Sequence, residues 1–486
     1  MKSFRPVLLV ATLLALVPVF LPASDLHAVA QQAPDRSAPP KPGPPPALKP
    51  PVIEKRTLSN GLPVWVVELH KVPVVHVSLV VKAGSGIDPK GKYGIASLTA
   101  DMLDEGAGSR DALQIADAID YLGASLSTDS TSDATSVELH VPVARLGDAL
   151  PIMADVALRP TFPEDELKRV REDLLTSLIE AQDDPESLIQ FAFPRLVFGA
   201  EHRYGTLSMG TAATVKALSA ADLRQFHTQH YAPSDSLLIV TGDVTAADAA
   251  ARLERAFGSW KAAAPPAAAL PAPTQLTSRQ IYLIDKPGAA QSQIRIGWVG
   301  VPRSTPDFFA LRVLNTILGG SFTSRLNQNL REEHGYAYGA GSTFDMRTAA
   351  GPFYASAGVQ TDKTAEALTE FFKELEAIRK PIAPEEIDKA KNFVALLLPR
   401  NFETTERVAG SLAQMFIYNL PADYFATYTQ RVRAVTPADV QRVAERYIQP
   451  DKFAVVIVGD RKTIEPGIAA LNLGPLKIVE TAEVMK

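Results

Sequence analysis

At 486 residues the chain is longer than one ordinary core supports, so two or more domains are expected. Hydrophobic residues make up 46% and charged residues 21%, a globular balance, and the net charge of −5 supplies no basic face for nucleic acid. Cysteine is absent, which excludes disulfides, thiolate zinc sites, a cysteine nucleophile and an acylated lipoprotein cysteine.

The first thirty residues have the pattern of a signal peptide. Lys2 and Arg5 form a basic start, Val7 to Leu21 is apolar and contains Pro18, and Ala28-Val29-Ala30 fits the small-x-small cleavage rule, leaving Gln31 as the mature start. The apolar run falls short of the about 20 residues that a spanning helix needs. Export to a bacterial periplasm is the expectation, with no stable membrane span. Residues 31–52 carry Pro39, Pro40, Pro42, Pro44, Pro45, Pro46, Pro50 and Pro51, a composition that favours extended polyproline and builds no core. This stretch is expected to be a semi-rigid tether.

Beyond it, Asn60-Gly61 is a hairpin turn signal. Strands are expected at Val64–Glu68 and Val74–Ala83, and helices at Gly94–Leu103 and Ala112–Leu122. Strands Ser125–Thr128 and Ser136–Val141 follow, then helices Ala144–Leu158 and Glu164–Glu180, the latter after Pro163. The chain then repeats itself at an offset of about 217 residues. Leu218-Ser219-Ala220-Ala221-Asp222-Leu223 corresponds to Val435-Thr436-Pro437-Ala438-Asp439-Val440. Leu237 to Asp243 corresponds to the run ending at Asp460, Pro163-Glu164-Asp165-Glu166-Leu167 to Pro384-Glu385-Glu386-Ile387, and Val77–Val81 to Ile294–Val299. Four matches in the same order give two copies of one α+β unit, 53–261 and 274–486, joined by the Ala/Pro-rich linker 262–273. Each copy is expected to be a mostly antiparallel sheet with helices on one face.

In the second copy, Phe308–Leu318 is expected as a helix, with Leu311, Leu314 and Leu318 at core spacing. After it comes Gly319-Gly320-Ser321-Phe322-Thr323-Ser324-Arg325-Leu326, which runs on to Leu330-Arg331-Glu332-Glu333-His334-Gly335-Tyr336-Ala337-Tyr338. Leu326 to Glu333 has helical spacing, with Leu326 and Leu330 on one face. Gly335 is placed as a left-handed C-cap. A strand starts near Tyr336. Arg331 on the helix and Tyr338 on the strand are expected to meet across the turn and offer donors to a peptide carbonyl.

This segment resembles the C-terminal domain of the pitrilysin (inverzincin) metallopeptidase family, and in particular the two-domain subunits like those of the mitochondrial processing peptidases. The resemblance covers roughly residues 53–465. It implies two homologous domains closing like a clamshell, and a substrate-holding role for Arg331 and Tyr338. Active members of the family carry His-x-x-Glu-His in the first copy. Two imidazoles one turn apart share a zinc ion there, and the glutamate between them is the general base. Here the matching segment is Gly94-Ile95-Ala96-Ser97-Leu98-Thr99-Ala100-Asp101-Met102. Ser97 and Asp101 replace both histidines, and Ala100 replaces the base. The third ligand position falls at Ser177, ahead of Asp183-Asp184-Pro185.

Rescue by other residues finds little support. Asp101, Asp104 and Glu105 have the spacing of one helix face, an oxygen set suited to weak calcium or magnesium, but a solvated acidic face explains them better. His227 and His230 sit where the repeat places packing residues, and His334 has no partner nearby. Ser85, Ser97 and Ser321 lack a nucleophile-elbow context.

By this resemblance the chain is a non-catalytic, substrate-binding subunit of a heterodimeric zinc metalloendopeptidase that degrades unfolded peptides. It holds no cofactor of its own. Zinc is expected in a homologous partner subunit that carries an intact His-x-x-Glu-His. Two other readings stay open: a structural or assembly core-type subunit with no role in proteolysis, and an enzyme with relocated chemistry.

Overall fold

The computed structural model describes residues 49–266 and 270–486. The expected signal peptide and most of the tether lie outside the described residues, as do positions 267–269 of the expected linker.

The first lobe contains strands β1 (Glu54–Thr57), β2 (Pro63–Glu68), β3 (Val74–Val81), the short pair β4 (Gly106–Ala107) and β5 (Arg110–Asp111), β6 (Ser125–Ser130), β7 (Thr135–Pro142) and β8 (Ser236–Gly242). Its helices are α1 (Ile95–Asp101), α2 (Ala112–Tyr121), α3 (Leu146–Leu158), α4 (Glu164–Asp183), α5 (Pro185–Phe198), α6 (Ala212–Ala217), α7 (Ala220–His230) and α8 (Ala246–Phe257). The second lobe contains β9 (Gln280–Asp285), β10 (Gln291–Val299), β11 (Ala337–Phe344), β12 (Pro352–Gln360), β13 (Ala454–Gly459) and β14 (Leu476–Val479). Around them lie α9 (Phe308–Leu318), α10 (Arg325–Asn327), α11 (Thr364–Ala377), α12 (Pro384–Leu397), α13 (Thr405–Ile417), α14 (Tyr424–Ala434), α15 (Pro437–Tyr447), α16 (Arg461–Ala470) and α17 (Thr481–Val484).

The two six-stranded sheets share one topology. The order β2-β8-β3-β7-β6 in the first is matched strand for strand by β9-β13-β10-β12-β11 in the second. Most pairings are antiparallel; β2/β8 and β9/β13 are parallel in both lobes. Only the sixth strand differs. β1 lies antiparallel beside β2, whereas β14 lies parallel beside β9. The repeat extends to the helix caps. Ser219 with Asp222 and Thr436 with Asp439 form matching capping boxes at the starts of α7 and α15. An α+β clamshell of two homologous domains is therefore what the chain adopts.

Strand composition follows burial. β8 is apolar along most of its length and buried on both faces. In β7 the residues alternate, with Val137, Leu139 and Val141 buried beneath the lobe's own helices and Ser136, Glu138 and His140 turned to the other face. That second face carries a helix from the opposite lobe. α13 lies across β3 and β8, so Val408, Leu412 and Met415 join a core that also contains Val67, Val80 and Ile239. In return α5 leaves the first lobe and lies across β10, β12 and β13, where Leu188, Ile189 and Phe193 meet Val299, Val456 and Val458. Each such side chain removed from water contributes about 1.5–3 kcal/mol. The lobes are thus held by an exchange of helices as well as by the chain between them.

Polar contacts lock the same seam. Asp133 of the first lobe accepts from the Thr348 amide at 3.1 Å and the Tyr418 hydroxyl at 3.1 Å, both in the second. Lys82 donates to Asn419 at 2.9 Å, and Lys286 pairs with Asp183 at 2.9 Å.

Candidate functional site

Two places carry the residues singled out in the sequence, the turn after α9 and the helix α1.

At the first, Gly319 and Gly320 end α9 where no side chain fits. A Cβ on Gly319 would lie 2.2 Å from the Ser342 amide nitrogen of β11, and one on Gly320 would lie 2.7 Å from Asn315 Nδ2. Asn315 clasps Ser342 in both directions, at 3.0 and 2.8 Å. The expected helix Leu326–Glu333 forms with a difference. After α10 the segment Gln328–Glu333 is a π-helix. Leu326 and Leu330 are fully buried as the spacing required. The wider turn is anchored by Asn329, whose amide donates to Glu370 at 2.8 Å and Glu374 at 2.9 Å. Such an inserted residue re-aims the side chains that follow it. Gly335 then reverses the chain at φ +65°, in the left-handed conformation expected of it.

The turn brings Arg331 and Tyr338 together. The guanidinium sits 5.1 Å from the Tyr338 ring and 4.7 Å from the ring of Phe322, a cation between two aromatic faces. Tyr338 is 85% exposed and Phe322 60%. Tyr338 lies where β11 loses register with β12, between Ala337 and Ala340. β11 is the outermost strand of its sheet, so one edge of its backbone has no strand partner among the described residues. Beside it lies a groove of about 250 Å³ lined by Glu186, Gln293, Arg295, Gly339, Gly341 and Ser356. Phe322 was not singled out in the sequence, although it lies inside the glycine-led segment.

At the second place, the start of α1 is fixed from below. Asp88 is buried and accepts from the amides of Gly94 at 2.7 Å and Ala96 at 3.2 Å, and pairs with buried Arg203 at 2.7 Å. Desolvation pushes its carboxyl up to about 6, opposed by Arg203 and the two amides. Gly94, at φ +96°, would place a Cβ 2.6 Å from the Met209 carbonyl oxygen.

The helix so positioned offers no zinc ligand set. Ser97 is half-buried, Ala100 fully buried, and Asp101 exposed at the helix end. On α4, Ser177 is exposed and its hydroxyl donates to the Asp173 carbonyl at 3.1 Å. These residues lack the imidazoles that zinc needs, so they do not fit the ion. The acidic spacing is also corrected. α1 stops at Asp101, so Asp104 and Glu105 share no helix face with it, and Glu105 pairs with Arg169 of α4 at 2.5 Å. The carboxylates nonetheless feel one another. Desolvation, with Asp104, Asp129 and Glu105 nearby, pushes Asp101 up to about 6, although its side chain reaches solvent. Burial first, then Asp129, raises Glu138 as well.

Asp101 therefore favours its proton more in the folded protein than in the unfolded chain. The resulting penalty is absent below about pH 4, grows as pH rises, and is complete above about pH 6. Asp101→Asn removes it. The expected result is a gain of about 1 kcal/mol in urea unfolding at pH 7.5, discounted for solvent screening, and no gain at pH 4.

The histidines singled out in the sequence contact aromatic rings. His227 Nε2 bonds the Ala157 carbonyl at 2.9 Å and its ring lies 4.4 Å from that of Tyr231, and His230 lies 4.6 Å from the Phe226 ring. The His334 ring stacks on Tyr336 at 4.9 Å. Sequence reasoning passed over one further group, His76, His140 and Glu406, whose ligand atoms all lie within 4.8 Å of one another. Burial pushes His76 down to about 4. An inward histidine in each of two strands was the available signal.

Two models of one peptidase family match the chain. Residues 64–203 match "Insulinase (Peptidase family M16)" and residues 217–394 match "Peptidase M16 inactive domain". An uncharacterized zinc protease of Mycobacterium leprae is 30% identical over 60% of this chain and 66% of its own length. Another, from Rickettsia bellii, is 25% identical over 82% of this chain and 96% of its own. The crystal structure of a peptidase M16 inactive domain from Pseudomonas fluorescens superimposes with a TM-score of 0.78 at 26% identity, covering 84% of this chain and 98% of that one.

Proposed function

From the premise that this chain belongs to the pitrilysin (M16) peptidase family, we propose that it is the non-catalytic, substrate-holding subunit of a heterodimeric zinc metalloendopeptidase acting on unfolded peptides. The observation that carries this reading is an asymmetry between the lobes. Arg331 and Tyr338 are assembled and outward-facing, whereas Ser97, Ala100, Asp101 and Ser177 cannot bind the family's metal.

Extended peptide adds to the open edge of β11, where main-chain hydrogen bonds give affinity with little sequence preference. Arg331 and Tyr338 orient the scissile carbonyl and stabilise charge on its oxygen. The zinc that activates water belongs to a homologous partner with an intact His-x-x-Glu-His. The domains are taken as 53–261 and 274–486 with linker 262–273, and the chain as an exported, periplasmic protein. Among the described residues no helix is long and apolar enough to cross a membrane.

The test is to purify this chain alone and together with its zinc-bearing homologue and to assay cleavage of unfolded peptides. Cleavage is expected only from the mixture, with EDTA abolishing it. EDTA-sensitive cleavage by the isolated chain refutes the assignment. Failure of the chain to bind peptide, alone or paired, favours a purely structural subunit.

A further inference from the structure

We propose that His76, His140 and Glu406 form a divalent-metal site, of zinc type, that bolts the second lobe's α13 to the first lobe's sheet.

The sheet register builds two-thirds of it. His76 on β3 lies directly opposite His140 on β7 and directly opposite Thr241 on β8, so the three side chains form a row across one face. The first turn of α13 comes down onto that row. Thr241 donates its hydroxyl to the Thr405 carbonyl at 2.8 Å, which fixes the height of the helix end. The next residue, Glu406, then places a carboxylate oxygen 2.8 Å from His140 Nδ1. One ligand atom from each of the three residues lies within 4.8 Å of the others, and among the described residues no other group of histidines and carboxylates closes this far. Tetrahedral zinc at its usual bond lengths of 2.0–2.1 Å spaces its ligand atoms about 3.3 Å apart. Small side-chain rotations of His140 and exposed Glu406 cover the difference.

A second observation points to a ligand. His76 is 3% exposed, and its Nδ1 is buried with no hydrogen-bond partner; His140 Nδ1 is also buried and makes no aligned hydrogen bond. Buried polar atoms are rarely left so, and the unpartnered imidazole of His76 lies beside a His140–Glu406 pair that already brings a nitrogen and a carboxylate oxygen together. Two histidines and a glutamate are zinc's own donor set, with a fourth position for water on the exposed Glu406 side. The site belongs to the lobe seam and uses none of Ser97, Asp101 or Ser177.

The experiment is zinc titration of the metal-stripped chain by calorimetry, with metal content after gel filtration and Tm with and without zinc. One equivalent of zinc and a raised Tm are expected. Glu406→Gln, at an exposed position that leaves the core intact, and His140→Gln are each expected to weaken zinc binding by more than the roughly 10- to 100-fold that loss of an outer partner costs, and to lose the Tm rise. Asp101→Asn is expected to keep the metal. No stoichiometric zinc on the unaltered chain, or zinc retained in the His140→Gln/Glu406→Gln double variant, overturns the proposal. Zinc lost with Asp101→Asn overturns it too, and also contradicts the functional reading above. Peptide cleavage plays no part in these readouts, so, that last outcome aside, failure of the metal site leaves the functional reading standing.

Discussion

Arg331→Ala is expected to lower peptide cleavage by the proposed two-chain complex about 100- to 1,000-fold, the range found when one donor to a developing oxyanion is removed. The effect falls on kcat, because the guanidinium is assigned to charge that grows in the transition state. Tyr338→Phe gives a smaller loss, since it removes one hydroxyl and keeps the ring that flanks Arg331 at 5.1 Å. Arg331→Lys does not rescue, because a lysine ammonium has neither the fork of donors nor the flat face that stacks on Phe322 and Tyr338. Assembly of the complex, followed by size-exclusion chromatography, is expected to be unaffected, the side chains being outward on an exposed turn. Unchanged turnover in Arg331→Ala removes the role given to the pair.

Asp88→Ala destabilises the protein by about 3–5 kcal/mol in urea unfolding, the cost of leaving one member of a buried ion pair unmatched. The loss compounds two failures. Arg203, its side chain 5% exposed, loses its carboxylate partner, and the Gly94 and Ala96 amides that open α1 lose their acceptor. Arg203→Met in the Asp88→Ala background is expected to recover part of the stability, since it removes the stranded cation. A loss below 1 kcal/mol for Asp88→Ala shows that water reaches Arg203 and that the pair is not the anchor of the helix.

Much of this fold was legible in the residues. The repeat at about 217 residues foretold a duplicated unit, and the shared strand order is that duplication in space. Helix Phe308–Leu318 forms with the limits its leucines indicated, and Gly335 takes the conformation only glycine adopts freely. The meeting of Arg331 with Tyr338 followed from a cap and a turn, both local.

What escaped was non-local or too fine for periodicity. A π-turn over Gln328–Glu333 differs from an α-turn by one residue in six, which two leucines do not resolve. α1 ends at Asp101 because Met102 and Leu103 turn into the core, yet apolar residues there look like one more helical turn. α5 is apolar enough to face any sheet, and nothing local says that its sheet is the other copy's. The approach of His76 to His140 depends on strand register, and that of Glu406 on a helix more than 260 residues away.

The exchange of α5 and α13 makes the halves of this chain interdependent for folding as well as for shape. A gene cut between the copies would yield two fragments, each with a sheet face stripped of its cover and an apolar helix with nowhere to dock. Alone, each fragment is prone to aggregate; mixed, they carry the information to find each other. During synthesis the first half cannot finish its core until α13 has left the ribosome.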